Sequence, residues 1–173
     1  RRSDCRAGAR AGRDPPLILA GLAAAGALLV AGALGALFFV PDRAALAAGT
    51  ISCLLACTAG AAFSVRALCA QTTASYRHGW AVPLGELHVG VDPLSAFFLA
   101  CVFVVSALGA LFGAGYLRAH AGHRRLAPVV AFYNLLVAAM VLLVLARDGV
   151  LFLVAWEAMS MAAFFLVTTE NER

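Results

Sequence analysis

From Leu17 to Val40 the chain runs for 24 residues without a charged side chain. The hydrocarbon core of a bilayer is ~30 Å thick and takes ~20 helical residues at a rise of ~1.5 Å each. Such a run is longer than the core of a signal peptide and fits a membrane-spanning helix. Four more runs of comparable length follow at Ala44–Val65, Leu94–Leu117, Leu126–Ala146 and Gly149–Thr169. Hydrophobic residues make up 63% of the 173, which together with a mean hydropathy of +0.91 lies well above what a soluble domain carries. The fold class is therefore all-α: a polytopic transmembrane helix bundle of about five helices, with little chain left for a soluble domain.

Polar punctuation sets the borders. Pro15-Pro16 precede the first run and Pro41-Asp42-Arg43 follow it. Arg66 ends the second, Arg118 the third, Arg147-Asp148 the fourth, and Glu170 to Arg173 the fifth. The organisation is a polar, arginine-rich tail (1–16), a transmembrane bundle (17–169), an extramembrane loop within it (67–91), and the start of a further loop (170–173). Asp92-Pro93 reads as an N-cap with proline at the first helical position of the third span. Gly109 and Gly113 form a GxxxG pattern there, a spacing that lets helix backbones approach. In the loop, GWAVPLGELHVGVD alternates apolar and polar residues around Pro83 and Gly85, which suggests a short hairpin at the membrane surface. Trp80 would anchor that hairpin at the headgroups. Glu86 and His88 read as solvated.

All 13 basic residues are arginines, against nine acidic ones, for a net charge of +4. They sit in the tail and loops and do not interleave with aromatics on a soluble face. Nucleic-acid binding is thus excluded as an explanation, and orientation in a bilayer is the better one. The loop with Arg118, Arg124 and Arg125 argues for a cytoplasmic position of that loop and an outside N-terminus. The tail, with Arg1, Arg2, Arg6, Arg10 and Arg13, argues the reverse; the internal loop is given more weight. Cys53 and Cys57 lie one helical turn apart, but no third and fourth ligand stands near them in sequence, as a metal site requires. His120 and His123 neighbour Arg124 and Arg125, which would repel a cation. No metal site and no cofactor is expected in this chain, and a cluster would need several convergent cysteines.

Glu157 stands inside the fifth run, in FLVAWEAMSM, eight residues after Gly149. That is ~12 Å into the membrane. A short carboxylate cannot snorkel to the surface from there. It must face protein or a wet cavity, either paired with a cation or carrying a proton, and either state suits a proton carrier. The structural alternative is a glutamate hydrogen-bonded across helices to hold the bundle. Ser160 is one turn on and could hold water or simply pack. Asn134, in the fourth run, could cross-link helices or hold water, and Tyr133 and Tyr116 read as interface or packing aromatics.

VDPLSAFFL at 91–99, FYNLLVAAMVLLVLARDGVLFLVAWEAMSMAAFFLV at 132–167 and the order of the spans resemble the antiporter-like membrane subunits of respiratory complex I and its relatives. Within these, the run WEAMSMAAFFLVT is similar to the large membrane subunits of the formate hydrogenlyase and hydrogenase-4 type. Ala163 departs from that subgroup, where a serine is common. The resemblance implies that Glu157 belongs to the proton path, beside a lysine on a later helix whose proton affinity it tunes. Redox chemistry in partner subunits would drive the cycle. It further implies a plasma (inner) membrane location in a prokaryote and an outside N-terminus. Members have roughly fourteen helices, and this chain, which begins at Arg1 and holds no lysine, is expected to be the N-terminal piece of such a subunit. Its partners would be the remaining helices, the other subunits of a membrane complex, and the lipid bilayer. Two other readings stay open: a subunit of a multi-subunit Na+/H+ antiporter without a redox partner, and a structural membrane protein in which Glu157 only holds helices together.

Overall fold

The computed structural model describes residues 14–38, 42–79, 86–119 and 126–169. Five long helices and one hairpin follow in the order α1 (Asp14–Phe38), α2 (Asp42–Cys69), β1 (Ala74–Gly79), β2 (Glu86–Val91), α3 (Pro93–Ala119), α4 (Leu126–Leu145) and α5 (Gly149–Thr168). All five helices are long and apolar enough to cross a membrane. The fold is the expected all-α bundle, with one two-stranded sheet beside it among the described residues.

Local chemistry explains several borders. Asp92 Oδ1 accepts the Ser95 backbone N–H at 2.6 Å, capping α3 ahead of Pro93. Asp148 does the same for α5, accepting from Val150 N at 3.0 Å and Leu151 N at 3.2 Å from an extended backbone (φ −114°, ψ 141°). In the sequence Arg147-Asp148 read only as the close of the preceding span; the aspartate also opens the next helix. At the other end of α2, Thr72 N donates to Ala67 O and Gln71 N to Leu68 O, a Schellman closure. Gln71 takes the left-handed conformation it requires (φ 48°), with its Nε2 donating to Leu68 O at 2.9 Å.

The hairpin is antiparallel, with Ala74 opposite Val91 and Gly79 opposite Glu86. Its second strand falls in the stretch that alternated in sequence. Its first, ASYRHG, is polar and carried no such signal. Trp80, Pro83 and Gly85 lie outside the described residues, as do residues 1–13, 39–41, 120–125 and 170–173. His88 is half-buried rather than free in solvent: Arg77 Nε donates to its Nε2 at 3.3 Å, and its carbonyl accepts from Arg147 N at 2.9 Å. That second bond, with the bridge between Val89 and Ala146, ties the hairpin to the turn between α4 and α5.

The main core lies among α1 to α4. Leu22 and Leu29 of α1, Cys53 and Ala56 of α2, Leu99 and Phe103 of α3 and Val137 of α4 are buried together. The backbones close up where side chains are absent. A Cβ on Gly60 of α2 would overlap the Phe103 ring, and one on Gly49 would overlap Val130 of α4. Helix α5 stands outside this core: it packs along α4, with Phe165 stacked on Phe132 (ring centroids 5.0 Å apart), and touches β2.

Candidate functional site

The helix carrying Glu157 is covered on one side only. Leu151, Ala155 and Ala162 are its buried residues. Glu157 is two positions past Ala155, or ~200° around the helix, and is exposed at the surface of the five-helix bundle together with Ser160. The same outward surface carries Leu153, Trp156, Met161, Phe164 and Val167, all large and exposed. Sequence reasoning expected the carboxylate to face protein or a wet cavity; within this chain it faces away from the other helices. Among the described residues no hydrogen bond or ion pair reaches it. The surface around it is otherwise lipid-like, and an ionised carboxylate against hydrocarbon is costly.

Asn134 is fully buried on α4. Its Nδ2 donates to Gly49 O at 3.1 Å and lies 3.4 Å from Ser52 Oγ, so it links α4 to α2. The Oδ1 of the same amide has no partner. Beside it, Tyr133 Oη donates to Ser106 O at 2.8 Å and links α4 to α3. The two glycines of the GxxxG pattern separate here. A Cβ on Gly109 would stand 2.5 Å from Tyr133 Oη, whereas one on Gly113 would meet nothing within 4 Å.

Asp92 is placed far from Glu157 in role. Besides capping α3, its Oδ2 lies 3.1 Å from Arg147 Nη2, which also donates to Ser95 Oγ at 2.7 Å. The Ser95 backbone N–H holds the Asp92 carboxyl below its usual range, aided by the Ser95 hydroxyl and the Arg147 guanidinium and opposed by partial burial. The pair was not legible beforehand, since it joins residues on elements distant in sequence. Cys53 and Cys57 face each other with sulfurs 3.9 Å apart. Among the described residues no group of three or more His, Cys, Asp or Glu is placed to hold a metal.

No family model matches the chain. Two uncharacterized proteins from strains of Mycobacterium tuberculosis are 38% identical to it over 96 residues, 55% of this chain and 14% of theirs. The hydrogenase-4 component B of Escherichia coli is 26% identical over 132 residues, 76% of this chain and 20% of that protein. The matched part is thus between about one-seventh and one-fifth of the length of these relatives. With five membrane-length helices, this likeness describes a multi-pass membrane protein distantly related to hydrogenase-4 component B.

Proposed function

We infer that the chain is the N-terminal part of a membrane subunit that couples a redox complex, of the hydrogenase or NADH:quinone oxidoreductase kind, to proton translocation. Glu157 is the residue that carries or pairs with the proton. Ser160 supports it one turn away, Asn134 and Asp92 keep the bundle in shape, and the redox cofactors belong to partner subunits. One observation carries this reading: a carboxylate ~12 Å from the start of α5 lies on the helix face that α1 to α4 leave uncovered. A glutamate that merely held these helices together would point into them. On the outward face it needs a cation, a proton or water brought by further helices, and the relatives are long enough to supply many.

A neutral amide at this position tests the reading. Glu157→Gln in the intact complex keeps the shape of the side chain but removes its ionisation. Proton translocation falls while the complex still assembles. A subunit in which the residue is only structural shows the opposite pattern, with weakened assembly and unchanged translocation per assembled complex.

A further inference from the structure

A cavity of about 240 Å³ opens between α2, α3 and α4, near the end of the bundle that carries Arg118. Thr50, Gly113, Leu117, Tyr133 and Asn134 line it, and Leu166 of α5 reaches its edge. Most of this wall is apolar, and an apolar void stays dry. The polar groups decide otherwise. Asn134 is fully buried, its Nδ2 is committed to α2, and its Oδ1 has no partner. Rotating the amide by half a turn offers no escape, because Oδ1 would then oppose Gly49 O, an acceptor against an acceptor. The neighbouring hydroxyls have spent their protons too: Thr50 Oγ1 donates to Leu46 O at 2.7 Å, and Tyr133 Oη to Ser106 O at 2.8 Å. What these three side chains have left is lone pairs. A ligand that meets them has to donate hydrogen bonds.

We propose that this cavity is a hydration site within the membrane-spanning bundle, entered from the Arg118 end, in which water donates to Asn134 Oδ1 and then to the Thr50 and Tyr133 hydroxyl oxygens. Water is the donor of the right size. The volume far exceeds the ~10–15 Å³ one molecule needs, and Asn134, Thr50 and Tyr133 all line it. Gly113 lines the cavity with nothing within 4 Å of where its Cβ would be, so a larger side chain placed there has room to enter it. The inference does not depend on the role assigned to Glu157.

Thiol labelling reads the hydration directly, because a cysteine thiolate, which forms in water and not in hydrocarbon, attacks the methanethiosulfonate, forms a mixed disulfide and expels methanesulfinate. The experiment uses the full-length protein in native membranes, freed of its own cysteines, and a small cationic methanethiosulfonate. Thr50→Cys places the probe in the cavity eight residues beyond Asp42. Leu111→Cys places it on an exposed apolar face seven residues before Arg118, at a similar depth. Labelling at Thr50→Cys is expected to be at least about tenfold faster than at Leu111→Cys. Adding Gly113→Phe, which fills the entrance, is expected to remove that advantage. Gly113→Cys serves as a second probe, since the site has space for the side chain. Equal rates at the cavity and apolar-face positions, or no labelling at either cavity position, would mean that a lipid chain or another helix fills the space, and would overturn the proposal. Because no turnover is measured, a failure here is distinct from a failure of the proton-translocation reading.

Discussion

Arg147, at the entrance of α5, holds Asp92, at the entrance of α3, across a 3.1 Å ion pair. The two helices do not form a major contact of their own; the pair, the 2.7 Å bond from Arg147 to Ser95 Oγ, and the His88 carbonyl of the hairpin, which accepts from Arg147 N at 2.9 Å, join their starts. Both side chains are about one-third exposed, 31% for Arg147 and 36% for Asp92, which limits the pair to the modest value of a surface bridge. The larger share comes from Asp92 as a helix cap. Asp92→Ala removes both and should cost about 1–2 kcal/mol. Asp92→Asn keeps a capping oxygen and should cost under ~1 kcal/mol. Thermal unfolding of the purified full-length protein in detergent ranks the two.

The same carboxyl gives a pH dependence with a definite sign. Its proton affinity is lowered in the folded protein, so the unfolded chain binds the proton more readily. The stabilisation is fully present above the ordinary carboxyl value of 3.8 and is lost as pH falls through the lower folded value. Stability of the wild type should therefore fall more steeply below that point than stability of Asp92→Asn. Parallel acid titrations of unfolding midpoints check this.

The GxxxG pattern of α3 splits into one glycine that helix packing requires and one that it does not. Gly109→Ala would push a methyl group to 2.5 Å from the Tyr133 hydroxyl, which is already bound to Ser106 O, and should cost about 1–3 kcal/mol. Gly113→Ala meets nothing and should change stability by less than about 0.5 kcal/mol. Equal effects of the two substitutions would contradict the packing described here.

Asn134→Ala should destabilise the α2–α4 contact by about 1 kcal/mol, the usual worth of a hydrogen bond between membrane helices. Thermal melts of the variant, with Ser52→Ala as a comparison at the longer 3.4 Å contact, measure it. The Ser52 change should matter less.

The five helices were legible in the sequence because bilayer thickness dictates length, and length survives without any knowledge of packing. The caps at Asp92 and the β2 half of the hairpin were legible because their signals are local. The orientation of α5 was not. In a soluble protein the apolar stripe of a helix marks its buried side, but in lipid both sides are apolar. Leu151 and Leu153, one buried and one exposed, look alike in sequence. Glu157 stood out as a candidate by its chemical type and depth, while the face it occupies needed the packing of α5 on α4. The Asp92–Arg147 pair and the unpartnered Asn134 Oδ1 escaped for a related reason: each depends on which helices become neighbours. The polar strand Ala74–Gly79 escaped because it takes its form from pairing with β2 and not from its own pattern.

The central claim concerns one carboxylate, and proton translocation by inverted membrane vesicles carrying the intact complex tests it most directly. With Glu157→Gln, redox-driven proton uptake per assembled complex should fall at least about tenfold, while the amount of assembled complex stays near that of the wild type. Uptake at the wild-type rate in a normally assembled complex would contradict the assignment of Glu157 to the proton path.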